Sequence, residues 1–227
     1  MPTRPTPPPR TATAPPAASS PRVPRRRSYD QFCAAARALD AVGDRWTLLI
    51  VRELLAGPRR YTDLHVDLPG VSTDVLASRL KDMERVGLTV RRRLPAPVSA
   101  YVYELTPRGH GLLPVLTALA GWGAPELTDP RPTDAVRAHW LALPLRRSLE
   151  REDWRGVVEV RLDEGEFHVR VGADAGEPVY GEGAAPEGTA AARLELDVGT
   201  CLEICRGLLS VADAVRDGRV NVKRSTA

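Results

Sequence analysis

The chain has 227 residues, a net charge of +3 and 43% hydrophobic residues, which is enough apolar material for one large globular domain or two ordinary ones. No apolar run approaches the ~18 residues of a membrane span or the shorter core of a secretory signal, so we expect a cytoplasmic protein without membrane contact. Three cysteines exclude a disulfide framework, and no grouping of side chains predicts a metal site or a cofactor.

Charge is distributed unevenly along the chain. Residues 1–27 contain six arginines and no acid (+6), residues 28–125 carry +2, and residues 126–227 carry −5. The basic charge therefore lies in the N-terminal part, where contact with an anionic partner is most favourable. Composition predicts a disordered, basic, proline-rich tail over 1–27, a first domain over 28–125, a linker over 126–132 and a second domain over 133–227.

The first domain begins with predicted helices. Phe32, Ala36 and Leu39 share one face of helix one, and Gly43 ends that helix. Asp44 is placed to cap the next helix by accepting hydrogen bonds from its free amides. The spacing of later apolar residues supports this second helix and predicts a short third helix before residue 70.

The fourth predicted helix is amphipathic in a way that suits DNA. Ser72 is a good N-cap, and Leu76, Leu80 and Met83 form a stripe that packs inward. The opposite face is polar and carries short hydrogen-bonding groups and bases, as a helix in the major groove requires. An ordinary surface helix has a similar pattern. The predicted DNA-contacting residues of this segment are Ser72, Thr73, Asp74, Ser78, Arg79 and Lys81.

A basic hairpin follows this helix. Residues 88–94 and 100–105 are predicted strands, and the first contains Arg91, Arg92 and Arg93. Helix, turn, amphipathic helix and basic hairpin is the order of a winged helix-turn-helix, in which the hairpin contacts backbone phosphates or the minor groove. The alternative is a basic, solvated hairpin of another small α/β domain. We therefore predict double-stranded DNA as the partner.

A strongly apolar helix comes after the hairpin. Its apolar face is large for so small a domain, so we predict a homodimer interface. Packing on the domain's own core is the alternative. The residues concerned are Leu112, Val115, Leu116, Leu119 and Trp122.

Family motifs occur in order along residues 33–122. They are Cys33, Leu39-Asp40, Arg45-Trp46-Thr47, Arg52-Glu53-Leu54-Leu55, Gly57-Pro58-Arg59, Leu68-Pro69-Gly70-Val71-Ser72, Gly87-Leu88, Tyr103-Glu104-Leu105-Thr106 and Trp122-Gly123. On these residues the segment resembles the HxlR-type regulators, relatives of the MarR group. The resemblance implies a dimeric repressor or activator with residues 73–86 in the major groove. Asp44 and Arg45 stand where the family usually has a second glycine and a lysine.

The resemblance also implies a role for Cys33. Some members of the family sense electrophiles or oxidants through an N-terminal cysteine, and Cys33 matches that position. A reactive cysteine needs a lowered pKa, which a helix start or basic neighbours supply. A packed structural cysteine is the alternative.

The second domain has a different pattern. A helix over residues 136–145 is predicted to be kinked or ended by Pro144, and a hairpin follows over 157–171. The C-terminal segments Leu194-Glu195-Leu196-Asp197 and Gly218-Arg219-Val220 resemble the end of sterol-carrier-protein-like domains. That resemblance implies an α+β fold with a mostly antiparallel sheet, covering helices and an apolar cavity for a small hydrophobic ligand. Candidate lining residues, which could equally be plain core, are Trp140, Trp154, Phe167, Tyr180 and Leu208.

Together these patterns predict a dimeric DNA-binding transcriptional regulator that a hydrophobic effector or oxidation of Cys33 modulates. The main alternative is a lipid or hydrophobic-ligand carrier whose helical domain serves dimerisation or a protein partner. An enzyme is a further alternative, but no catalytic cluster surrounds any of the four histidines, so we expect no enzymatic activity. The basic hairpin favours the regulator, because a carrier has no need of it.

Overall fold

The computed structural model describes residues 28–128, 130–172 and 176–224; the predicted tail over 1–27 lies outside them. The described residues up to 40 and those from 41 onward belong to two separate compact units. The first unit contains most of helix α1 (Ala34–Val42), and the second contains all later elements. Among the described residues, no helix combines the length and apolar character that crossing a bilayer requires.

The N-terminal region is a winged helix-turn-helix, as predicted. Its strands form an antiparallel sheet of order β1-β3-β2. After α1 the elements are α2 (Thr47–Leu54), β1 (Arg59–Arg60), α3 (Tyr61–Asp67), α4 (Thr73–Arg85), β2 (Thr89–Arg93), β3 (Tyr101–Leu105), α5 (Pro107–His110) and α6 (Leu113–Gly123).

Helix α4 has the N-cap and the buried apolar stripe that its sequence predicts. The Ser72 hydroxyl accepts a hydrogen bond from the Val75 amide at 3.3 Å, which satisfies one of the free amides of the first turn. Leu76, Leu80 and Met83 are buried in the core. The predicted inward stripe is therefore confirmed.

Two details of the first helices differ from the prediction. Asp44 does not cap α2 through its side chain, because α2 begins at Thr47 and the Asp44 carboxylate pairs with Arg79 on α4 instead. The contact of Asp44 with the start of α2 is made by its backbone carbonyl, which accepts a hydrogen bond from the Thr47 amide at 3.1 Å. Phe32 precedes α1 and is fully exposed, and Leu39 is also exposed, so neither is a core residue of that first unit.

The C-terminal region contains a mixed sheet. Its order is β6-β5-β4-β7-β8, and β4 pairs in parallel only with β7, so the sheet is mostly antiparallel. Helix α7 packs on β5 and on α8. The elements are α7 (Ala142–Arg151), β4 (Gly156–Leu162), β5 (Gly165–Val171), β6 (Tyr180–Glu182), β7 (Ala190–Leu196), α8 (Val198–Arg206), α9 (Val211–Arg216) and β8 (Val220–Arg224).

Pro144 neither kinks nor ends a helix, contrary to the prediction. A 3-10 turn over Ala138–Leu141 leads into α7, and Pro144 lies in the first turn of α7. Amides of a first turn have no partner within the helix, so the missing amide hydrogen of proline costs nothing there. The helix therefore continues to Arg151.

Helix packing and a backbone hydrogen bond connect the N-terminal and C-terminal regions, in addition to the polypeptide linkage. Helix α6 packs on α7, and the Leu55 carbonyl accepts a hydrogen bond from the Val179 amide at 2.8 Å. From residue 41 onward the fold is one compact unit. The predicted division of the sequence at 126–132 stays a prediction.

Candidate nucleic-acid interface

Helix α4 presents a polar face to solvent. Thr73, Asp74, Ser78 and Lys81 are exposed on it, while the opposite face is buried. The start of the helix is fixed on α3, because the Tyr61 hydroxyl donates to the Thr73 carbonyl at 2.8 Å. This face has the donors, acceptors and positive charge that base edges and phosphates engage.

Two of the contact residues predicted in the α4 segment, Ser72 and Arg79, are already engaged within the chain. The Ser72 hydroxyl caps α4. The Arg79 guanidinium pairs with Asp44 and, at 2.9 Å, with Asp82, and only about a fifth of its side chain is exposed. Arg79 therefore braces α4 against the turn before α2, and it does not point into the same solvent face as Lys81.

The hairpin of β2 and β3, which we call the wing, carries three exposed arginines. Arg92 donates twice to Glu104, at 3.0 and 2.9 Å, and this hydrogen bond raises the pKa of Arg92. The Arg91 guanidinium lies 4.0 Å from the centre of the Tyr101 ring. Because a stacked arginine keeps its N–H groups at the edge, Arg91 still offers donors to a phosphate.

One cation beside the wing was missed by sequence reasoning. Arg60 lies on β1, which pairs with β3 and so joins the wing sheet, and its side chain is exposed. Its amide donates to the Asp63 side chain at 3.2 Å, so Arg60 is the N-cap residue directly before helix α3. The adjacent Arg59 points inward instead. A basic pair directly before a helix was the available sequence indication.

Helix α6 has an exposed apolar stripe. Val115, Leu119 and Trp122 are 47%, 46% and 82% exposed in the single chain. Their spacing of four and three residues places them on one helix face. Leu116, by contrast, is buried on the chain's own core, and Leu112 is half-buried. The predicted interface set therefore divides into an exposed stripe and core residues.

The five predicted lining residues of the C-terminal region do not surround one space. Phe167 and Tyr180 are fully buried, and Leu208 is 66% exposed. Trp154 lines a surface groove with Arg224, whose guanidinium is 5.8 Å from the indole ring. Trp140 is engaged elsewhere, because its indole N–H donates to Glu53 at 3.1 Å.

The three cysteines have different surroundings. Cys33 is exposed immediately before α1, and the amides of Ala36 and Ala35 lower the pKa of its thiol. Cys205 is buried on α8 beside Cys201, and the hydrogen bond with Cys201, together with burial, raises the pKa of Cys205 well above its ordinary value. Of the described cysteines, Cys33 alone combines exposure with a stabilised thiolate.

Comparison with known proteins identifies the family. The family model described as HxlR-like helix-turn-helix matches residues 41–130. The uncharacterized HTH-type transcriptional regulator YvaP of Bacillus subtilis is 37% identical over 94 residues, which are 41% of this chain and 86% of that protein. The chain belongs to the HxlR-like helix-turn-helix family.

Other relatives of this HxlR-like chain are also named as regulators. HTH-type transcriptional regulator YodB of Bacillus subtilis is 32% identical over 96 residues, 42% of this chain and 85% of that protein. The uncharacterized HTH-type transcriptional regulator Mb3122 of Mycobacterium bovis is 39% identical over 104 residues, 45% of this chain and 65% of that protein. The chain is a DNA-binding transcriptional regulator. The family match ends at residue 130, so the C-terminal region lies almost entirely beyond it.

Proposed function

We propose that this HxlR-like regulator binds double-stranded DNA as a homodimer in the cytoplasm, without catalysing a reaction. Helix α4 lies in the major groove and the wing lies along the flanking backbone. The observation that carries this arrangement is the exposed polar face of α4 followed directly by a hairpin with three exposed arginines. Within it, Thr73, Asp74, Ser78 and Lys81 face the bases.

The backbone contacts come from the wing and from β1. Arg91, Arg93 and Arg60 have exposed guanidinium groups at the wing sheet and contact phosphates. Arg92 contributes when it leaves Glu104. Arg79 and Ser72 act indirectly, because they hold α4 in place through Asp44 and through the helix cap.

The homodimer forms through the exposed stripe of α6. Three large apolar side chains at consecutive turns are costly to leave in water, and a second copy of the same stripe covers them symmetrically. We expect Trp122→Ser to shift the protein to the monomer in sedimentation analysis. The matched control is Val136→Ser, which changes an exposed apolar residue outside α6. A dimeric Trp122→Ser protein would contradict this interface.

The experiment that tests the DNA-binding arrangement is a salt series. Binding to DNA from upstream of the protein's own gene is compared with binding to a scrambled fragment. We expect preference for the upstream DNA, with log affinity falling by about 0.9 per phosphate contact for each unit of log salt. Equal, weak binding to both would favour an operator elsewhere or the lipid-carrier alternative.

Oxidation or alkylation of Cys33 is one input that we propose. The lowered pKa favours the thiolate, which adds to a quinone ring carbon to form a C–S bond and leaves a hydroquinone after proton transfer. We expect a quinone to change DNA affinity in the wild type and to leave Cys33→Ser unaffected. Cys201→Ser is the matched control, because Cys201 is buried. An equal quinone response in Cys33→Ser would refute the proposal.

A small hydrophobic effector in the C-terminal region is the second input that we propose. The mostly antiparallel sheet with helices packed on it supports the sterol-carrier-like interpretation. By linkage, an effector that weakens DNA binding must itself bind less well to the DNA-bound protein. Thermal shifts against a panel of lipids and sterols test this, and no stabilisation by any of them would end the proposal.

A further inference from the structure

A buried carboxylate lies between the helix-turn-helix and the C-terminal region. Glu53 of α2 is 0% exposed. Its Oε1 accepts from Arg52 at 2.7 Å and from the Trp140 indole N–H at 3.1 Å, and its Oε2 lies 3.1 Å from His139 Nε2. Two of these three partners come from the C-terminal region.

The contacts of Glu53 favour its charged form despite its burial. Burial alone would raise the pKa of Glu53, but the hydrogen bond from His139 and the charge of Arg52 outweigh it, and the pKa lies below its ordinary value. An ionised carboxylate only accepts hydrogen bonds, so His139 Nε2 carries the hydrogen. A buried charge that loses a partner is strongly unfavourable. Helix α2 therefore depends on residues far along the chain.

Tyr180 at the start of β6, and Val179 directly before it, donate hydrogen bonds to backbone carbonyls at the C-terminal end of α2. The Tyr180 ring stacks on His139 with centroids 5.8 Å apart, and the Tyr180 hydroxyl donates to the Arg52 carbonyl at 2.9 Å. The Val179 amide donates to the Leu55 carbonyl at 2.8 Å. The Arg52 carbonyl also accepts from the Leu55 amide at 3.2 Å, so Tyr180 adds a second donor there. The Leu55 carbonyl lies beyond the last turn of α2, where carbonyls have no intrahelical partner, and Val179 supplies its donor.

The same strand also holds the wing sheet. Glu182 accepts from Arg59 at 2.7 Å and lies 3.8 Å from His139 Nδ1. Arg59 belongs to β1 and is the register partner of Tyr103 on β3 of the wing sheet. Contacts are thus continuous from the wing sheet to α2. We call the following residues the junction cluster: Arg52, Glu53, Arg59, His139, Trp140, Tyr180 and Glu182.

We propose that the junction cluster sets the position of α2 and of the wing sheet, so that a change in the C-terminal sheet alters DNA affinity. His139 and Glu182 are positioning residues: they act on DNA through Glu53 and Arg59 and do not touch it. The junction cluster would connect the proposed effector-binding region with the DNA interface, and this role rests on the proposed function.

The first test uses substitutions at His139 in the full chain. His139→Leu removes the donor to Glu53, whereas His139→Gln keeps one. At a temperature where all variants are folded and dimeric, we expect His139→Leu to bind upstream DNA about tenfold more weakly, with a smaller salt slope, and His139→Gln to recover most of the loss. The matched control is Ser148→Ala, which loses a buried hydrogen bond to Ile204 inside the C-terminal region.

The second test does not depend on DNA. Hydrogen exchange of the amides of β1, β2 and β3 is compared between the wild type and Glu182→Gln, which weakens the hold on Arg59. We expect faster exchange in the wing sheet of Glu182→Gln and no change in Ser148→Ala. The exchange measurement tests the positioning role even if His139→Leu does not fold, because it uses a different variant.

The outcomes separate the inference from the proposed function. A folded, dimeric His139→Leu protein with wild-type affinity, failure of glutamine to recover the loss, or unchanged exchange in Glu182→Gln would overturn the inference. If the wild type itself does not prefer upstream DNA, the proposed function fails, and faster exchange in Glu182→Gln would still support the positioning role.

Discussion

The two sheets of this protein both carry rows of arginine, but they use them differently. In the wing, residues 89–105 contain three arginines and a single acid, Glu104. On the five-stranded sheet, basic side chains have acidic neighbours: Arg193 pairs with Glu159 at 2.6 Å and Lys223 with Glu195 at 2.8 Å. Two of the three wing arginines, Arg91 and Arg93, have no acidic partner among the described residues, which leaves their charge available to an anionic partner such as DNA.

The largest expected effect is a loss of folding stability when a Cβ is added at a glycine packed against the wing sheet, compared with a glycine in the five-stranded sheet. A Cβ at Gly109 would collide with the Leu88 carbonyl and the Leu105 side chain, whereas the nearest atoms to a Cβ at Gly181 belong to the His168 ring. Backbone cannot move aside as a side chain can. We expect Gly109→Ala to lower the free energy of unfolding by about 3 kcal/mol and Gly181→Ala by about 1 kcal/mol, measured by urea unfolding. Equal losses would contradict the difference in packing.

The next effect concerns DNA. Arg91→Gln combined with Arg93→Gln removes two exposed cations of the wing, and we expect affinity for upstream DNA to fall at least about tenfold and the salt slope by about 2. The control is Arg161→Gln with Lys223→Gln on the five-stranded sheet, where both cations have acidic partners. Similar losses in the two double variants would remove the distinction between the sheets.

A smaller effect concerns stability and pH on the five-stranded sheet. Glu159 accepts from Arg193 and, at 2.9 Å, from the Ala185 amide; these contacts outweigh the effect of burial, so the pKa of Glu159 lies below its ordinary value. Its stabilisation is therefore present above the ordinary glutamate pKa of about 4.3 and is lost as pH falls through the lower folded-state pKa.

Glu159→Gln is the variant that tests this. We expect it to cost about 1 kcal/mol at pH 7, to make unfolding less dependent on pH in the acid range, and to leave DNA affinity unchanged. An acid unfolding curve with the wild-type pH dependence would show that other groups dominate.

The smallest expected effect is an increase in DNA affinity. Glu104→Gln frees Arg92 from its only acidic neighbour in the wing sequence, so we expect DNA affinity to rise by a few-fold, since an exposed ion pair of this kind is worth about 0–1 kcal/mol. Glu195→Gln, which frees Lys223 on the other sheet, is the matched control. Weaker binding by Glu104→Gln would mean that Glu104 orients Arg92 for its phosphate.

Local patterns in the sequence predicted much of the winged helix-turn-helix. The stripe of Leu76, Leu80 and Met83 fixed which face of α4 packs, because burial follows helical periodicity. The order of elements and the family motifs then indicated DNA binding. The prediction for Pro144 was wrong because the helix start was placed too early, and a proline in a first turn is tolerated.

Long-range contacts were not predictable in this way. Arg79 is separated from Asp44 by 35 residues, and His139 from Glu53 by 86. Periodicity assigns a side chain to a face but does not identify its partner, so Arg79 was expected on DNA and Trp140 in a ligand cavity. The exposure of Leu208 follows from its place just after Gly207, where α8 has already ended.

The bond from Tyr180 to the Arg52 carbonyl has a consequence during synthesis. These residues are 128 positions apart, so at about 5–20 residues per second the ribosome makes Tyr180 roughly 6–25 s after Arg52. Until then the carboxylate of Glu53 and the end of α2 lack their C-terminal partners. During synthesis the helix-turn-helix therefore lacks these contacts until residues 139–180 have left the ribosome.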